Sequence, residues 1–81
     1  MSALVELYSK PGCHLCEVAK SEIISVKDEL GFAFMEIDIS NNPELMEKFG
    51  ESIPVIFING EFFARFALNR KSLKHRIISL N

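Results

Sequence analysis

The spacing of apolar positions along the chain changes several times, and each change marks an element. Ala3 to Tyr8 is rich in β-compatible residues and stops at Ser9-Lys10-Pro11-Gly12, a cluster that offers turn geometry and cannot extend a central strand. A first strand and a loop are predicted there. From Cys13 to about Leu30 the apolar residues Leu15, Val18, Ala19, Ile23, Val26 and Leu30 recur at steps of three and four, with Glu17, Lys20, Lys27 and Asp28 on other faces. That period predicts an amphipathic helix. Gly31 stands where a left-handed C-terminal cap belongs, and Phe32 to Ile39 then sets Phe34, Glu36 and Asp38 against Ala33, Met35, Ile37 and Ile39, a strand pattern. Asn41-Asn42-Pro43-Glu44 combines capping residues with a first-turn proline, and Leu45, Met46 and Phe49 give a short helix an apolar side before Gly50. Val55-Ile56-Phe57-Ile58 reads as a buried strand. Asn59-Gly60 is the strongest hairpin signal in the chain, predicting antiparallel pairing with Glu61 to Phe66. Asn69 to Leu80 predicts a closing basic helix, its apolar side made by Leu73, Ile77 and either Ile78 or Leu80, with Lys71, Lys74, His75 and Arg76 outward.

The predicted order is β-α-β-α-β-β-α, with no long internal repeat, and a four-stranded mixed sheet flanked by helices is the economical way to bury these faces. The 81 residues suffice for one domain, taken as residues 1–81, and are too few for two cores. A composition of 48% hydrophobic and 25% charged residues is that of a chain that folds rather than stays disordered. The net charge of −2 conceals an asymmetry: residues 1–61 hold eleven acidic and four basic side chains, whereas residues 62–81 hold five basic and no acidic ones. With an acidic body, the basic end reads as a solvated helix face, and nucleic acid is not an expected partner. No apolar run approaches the roughly 20 residues of a membrane span. Met1-Ser2-Ala3 leads straight into the first strand with no export pattern, so the cytoplasm is the expected compartment.

The chemistry is concentrated in Cys13-His14-Leu15-Cys16. There are only two cysteines, and a bridge between them closes too short a loop to brace a fold, so the pair reads as reactive rather than structural. A step of three at the start of a helix brings both sulfurs to the same turn. Cys13, in the first turn, meets unpaired backbone N–H groups and the positive end of the helix dipole, which stabilise a thiolate. Cys16, one turn further in, is placed to resolve a mixed disulfide formed on Cys13. The competing reading is half a zinc site. Such a site generally needs four protein ligands, and only His14 and His75 could join the cysteines, neither in finger-like spacing, so no metal is expected. His14 reads as an exposed residue without a catalytic role, Leu15 as a wall beside the sulfur or part of the helix's apolar face, and His75 as solvated. Phe62, Phe63 and Phe66 could suggest a stacking platform, but strand alternation places Phe62 and Phe66 opposite Phe63, which favours core packing.

Tyr8-Ser9-Lys10-Pro11-Gly12-Cys13-His14-Leu15-Cys16 and Ser52-Ile53-Pro54-Val55-Ile56-Phe57-Ile58-Asn59-Gly60 resemble the cysteine loop and the proline-strand-turn segment of the glutaredoxins, within the thioredoxin superfamily. With the element order, the resemblance spans nearly the whole chain. It implies a thioredoxin-like α/β fold, a cis Ile53-Pro54 bond facing Cys13, an Ile53 backbone able to pair with glutathione or a peptide strand, and Lys10 approaching a glutathione carboxylate. Two departures stand out. His14 replaces the usual proline between the cysteines. Ala64-Arg65-Phe66-Ala67-Leu68 replaces a glycine pair and the acidic residue after it, so side chains crowd glutathione's approach, with Arg65 as the alternative carboxylate contact.

The expected activity is thiol–disulfide exchange: Cys13 attacks a protein disulfide or a glutathione mixed disulfide, and Cys16 resolves it. No tightly bound cofactor is expected. Glutathione as co-substrate or a thioredoxin-type reductase would supply electrons to a monomer acting on disulfide-containing proteins. Two other classes stand beside it. One is a glutaredoxin-like protein holding an iron–sulfur cluster with glutathione. The other is a non-catalytic module docking an acidic partner through Arg70, Lys71, Lys74 and Arg76.

Overall fold

The computed structural model describes residues 3–80; Met1 and Ser2, part of the segment read above for an export pattern, lie outside them. The elements are β1 (Leu4–Ser9), α1 (His14–Leu30), β2 (Ala33–Asp38), α2 (Pro43–Phe49), β3 (Val55–Ile58), β4 (Glu61–Arg65) and α3 (Arg70–Ser79). The sheet order is β2-β1-β3-β4, with β1 and β2 parallel and the other pairs antiparallel. This is the four-stranded mixed α/β sheet that the alternation of periods predicts, in the thioredoxin-like arrangement that the resemblance implies.

Local chemistry sets most boundaries. Asn42 and Asn69 cap α2 and α3 by accepting the N–H groups of Leu45 and Ser72, and Pro43 opens α2. Asn59 and Gly60, with φ of +53° and +82°, give the β3–β4 hairpin the two left-handed residues that a tight turn requires, and Asn59 Oδ1 also accepts the Leu4 N–H at 2.8 Å.

Val5 and Leu7 of β1, Ile56 and Ile58 of β3, Ala19, Ile23 and Val26 of α1, and Leu73 and Ile77 of α3 form one buried cluster. Helices α1 and α3 thus lie together on one face of the sheet. Across their outer side, Glu22 pairs with Arg70 at 2.7 Å and Glu29 with Lys74 at 2.5 Å. Two of the four basic residues offered above as a docking face are therefore tied to α1. The other face carries α2 and the ring cluster Tyr8, Phe49 and Phe57, whose centroids lie 4.9–5.9 Å apart.

Three details differ from the pattern. On α1, Leu15 and Val18 are exposed, because the helix turns Cys16, Ala19, Ile23 and Val26 toward the sheet. On β2, register with β1 places Phe34 beside Val5 and Glu36 beside Leu7, so this pair faces α1 while Met35 is left exposed on an edge strand. On β4, a bulge shifts the register so that Phe57 meets Phe62 while Ile56 meets Ala64. Strict alternation fails there, which corrects the assignment of all three phenylalanines to core packing. Phe63 packs on the core, Phe62 is exposed against Phe57, and Phe66 lies beyond the end of the strand. No helix among the described residues is long and apolar enough to cross a membrane.

Candidate active site

β1 leaves the sheet at Ser9 into Lys10-Pro11-Gly12, where Gly12 takes a φ of +81° that lets the chain double back. The Cys13 N–H then donates to the Lys10 carbonyl at 3.4 Å, and α1 begins. Cys13 is the N-cap: its backbone is extended (φ −90°, ψ 105°), its carbonyl accepts the Glu17 N–H, and its Sγ accepts the Cys16 N–H at 3.2 Å. A sulfur therefore occupies the position normally filled by a Ser, Thr, Asp or Asn oxygen. There it faces the unpaired N–H groups and positive dipole end of a 17-residue helix, which favour negative charge on it once the bond to Cys16 opens.

Cys13 and Cys16 are joined as a disulfide with Cα atoms 5.2 Å apart, inside the normal range for such bonds. Their surroundings differ. Cys13 is half-buried at the surface end of the helix, whereas Cys16 is 3% exposed on the side of α1 that faces the sheet. A molecule arriving from solvent can reach the outer sulfur; the inner one is shielded by its neighbours.

The second wall comes from β3. The Ile53-Pro54 bond is cis, and Val55, the next residue, pairs with Tyr8 near the end of β1. Antiparallel register therefore brings Ile53-Pro54 to the end of the sheet from which the cysteine loop departs. β4 adds to the same end: Arg65 pairs with Val55, and the Phe66 N–H donates to the Pro54 carbonyl at 2.8 Å. The C=O of Ile53 accepts no hydrogen bond among the described residues.

Lys10 meets Cys13 through its carbonyl and also lines a cavity of about 290 Å³ shared with Glu17, Lys20, Glu36 and Asp38. Within that cavity Lys20 pairs with Glu36 at 3.0 Å, and the buried Ser9 hydroxyl donates to Glu36 at 3.1 Å. The Glu36 carboxylate raises the Lys20 pKa, and two hydrogen bonds from Ser40 hold the Asp38 carboxyl below its ordinary value. His14 is exposed, and His75 lines a separate depression between β4 and α3 with Phe63, Lys71 and Arg76. Among the described residues, no three His, Cys, Asp or Glu side chains are grouped to hold a metal ion. Sequence reasoning singled out Arg65 but missed that Phe66 stands beside Pro54; the absent glycine pair was the signal, and the bulge and turn that place the ring are tertiary features.

A family model described as Glutaredoxin-like domain (DUF836) matches residues 4–78. The chain belongs to this glutaredoxin-like family. An uncharacterized protein of Mycobacterium tuberculosis is 29% identical over 75 residues, covering 86% of this chain and 77% of the relative. Among solved structures, a Nitrosomonas europaea protein determined by NMR superposes with a TM-score of 0.81 at 20% identity, covering 95% of this chain and 93% of the other. Thioredoxin-2 of a malaria parasite superposes with a TM-score of 0.74 at 20% identity, covering 96% and 82%. At such identities these likenesses show the fold alone. The glutaredoxin-like family, the thioredoxin-like fold and the cysteine pair at CxxC spacing together support a redox role.

Proposed function

We propose that this glutaredoxin-like protein is a thiol–disulfide oxidoreductase in which Cys13 attacks and Cys16 resolves. The observation that carries the reading is the placement of the Cys13 sulfur as the cap of α1, accepting the Cys16 N–H, while Cys16 itself is buried one turn inside. In the reduced protein the Cys13 thiolate attacks one sulfur of a substrate disulfide, forms a mixed disulfide and expels the other sulfur as a thiolate. The Cys16 thiolate then attacks the Cys13 sulfur, the second substrate thiolate leaves, and the protein closes its own disulfide. Two electrons pass from the cysteine pair to the substrate. The substrates are disulfide-containing proteins or glutathione mixed disulfides, and the oxidised pair is returned to the dithiol by glutathione or by a thioredoxin-type reductase.

The test follows NADPH consumption while the oxidised protein is re-reduced, either by glutathione with glutathione reductase or by thioredoxin reductase, with Cys13→Ser as control. Turnover with glutathione that disappears in the control makes glutathione the donor. Turnover with the reductase alone makes the reductase the donor. Absence of Cys13-dependent turnover in both systems refutes the reading.

A further inference from the structure

The turn after β4 holds a backbone conformation that its residue type disfavours. Phe66 has a φ of +69°, in the left-handed region that bulky side chains avoid because Cβ crowds the carbonyl. The Ala67 N–H donates to the Arg65 carbonyl at 2.8 Å, closing a γ-turn of the rare, strained kind around Phe66. Glycine would adopt this turn freely. Phe66 keeps 45% of its surface exposed, so burial recovers only part of the backbone cost. Strain kept at the edge of a reactive site with only a partial packing return points to a functional constraint.

What the strain positions is specific. The Phe66 N–H is anchored to the Pro54 carbonyl, and the Arg65 guanidinium lies 5.3 Å from the centroid of the Phe66 ring. Arg65 has no carboxylate partner among the described residues. An exposed ring and a cation without a carboxylate partner thus stand together on the turn whose backbone is tied to cis-Pro54, one residue from the open carbonyl of Ile53.

We infer that Arg65 and Phe66 select the substrate, an extended polypeptide segment that carries the target disulfide and an acidic side chain close to it, in preference to a glutathione adduct. The inference rests on Cys13 being the attacking thiol. An extended segment pairs with the open carbonyl of Ile53, an apolar or aromatic side chain covers the Phe66 ring, and a carboxylate takes the open fork of Arg65. Where a glycine would add nothing, Phe66 adds a ring to the turn tied to Pro54, bulk that disfavours a small tripeptide there.

Single-turnover kinetics with pre-reduced protein need no electron donor and so isolate this step. Wild type, Arg65→Gln, Phe66→Gly and Phe66→Tyr are each mixed with three substrates: a disulfide peptide with aspartate beside the cysteine, its lysine counterpart, and a glutathione mixed disulfide. Products are read by mass spectrometry and thermal midpoints are measured alongside. Wild type is expected to react with the aspartate peptide about tenfold faster than with the lysine peptide, and Arg65→Gln to lose that preference. Phe66→Gly is expected to slow both peptides, to speed the glutathione adduct and to raise the thermal midpoint; Phe66→Tyr retains the wild-type order. Substrate preferences in Arg65→Gln and Phe66→Gly identical to wild type overturn the inference. Uniform loss on all three substrates with a lowered midpoint in Phe66→Gly also overturns it, since a structural role alone would do that. A wild type without Cys13-dependent reaction on any substrate overturns the oxidoreductase reading itself, and the inference with it.

Discussion

Ile77 and Ile78 are adjacent, chemically identical residues near the end of α3, and they differ in one respect: Ile77 is 2% exposed within the core and Ile78 is 54% exposed. Ile77→Ala removes three carbons from a closed site. At about 0.8 kcal/mol per buried methylene the transfer loss is roughly 2.4 kcal/mol. The cavity left behind brings the expected cost to about 3 kcal/mol. At Ile78 the same carbons are already half in water, and the better helix propensity of alanine offsets most of what they contribute, so the change stays within about 0.5 kcal/mol. A chain of this length has a total stability of about 4–12 kcal/mol, so one variant loses a large share of it and the other almost none. Urea unfolding followed by far-UV circular dichroism, with all proteins kept oxidised, reads the difference as a shift of midpoint at constant slope. Equal midpoints for the two variants, or a cost at Ile77 below about 1 kcal/mol, would refute the packing of α3 on the core. Because α1 packs in the same cluster, that result would also unseat the helix that presents Cys13.

Two further outcomes follow from the turn and the helix pair. Gly60→Ala places a side chain at φ +82° with nothing within 4 Å of the new Cβ, so the cost is the left-handed backbone alone, about 1 kcal/mol by urea titration; a neutral variant would contradict the hairpin geometry. Arg70 holds the Glu22 carboxyl below its ordinary value of 4.5, through a hydrogen bond first and charge second. A carboxyl depressed in the folded state contributes stability above its ordinary value and loses it as pH falls through the depressed one. The thermal midpoint of Glu22→Gln should therefore lie below wild type at neutral pH and converge with it in acid, and added salt should narrow the gap at neutral pH. A gap that persists unchanged into acid would show that the ion pair is not its source.

The site also frames the two alternative functions differently. A docking module built on α3 would need its basic side chains free, yet Arg70 and Lys74 are engaged by Glu22 and Glu29, leaving Lys71 and Arg76 with His75 on the open side. A glutathione-dependent cluster, as the resemblance implies it, would need the tripeptide to settle near Pro54, whose carbonyl is already taken by the Phe66 N–H. Both considerations favour the proposed thiol chemistry.

The sequence by itself determined the elements and their order, because each rests on local signals: a change of hydrophobic period, an Asn cap, a first-turn proline, an Asn-Gly turn. It also marked Cys13 and Cys16, since a spacing of three at a helix start is a local fact. What it could not decide depended on partners far along the chain. Which face of β2 meets α1 follows from parallel register with β1, and a pattern with Phe34 on one side and Met35 and Ile37 on the other reads equally well either way. Ile77 is legible as buried, but whether Ile78 or Leu80 completes the apolar side of α3 follows from where α1 already lies, and both stay exposed. The level at which Pro54 stands beside the cysteine loop follows from β3 pairing with β1. The exposure of Phe66 depends on a one-residue bulge in β4 and a γ-turn held by the Pro54 carbonyl. Periodicity is a property of one segment; register, bulges and close approaches belong to pairs of segments, and only the folded sheet fixes them.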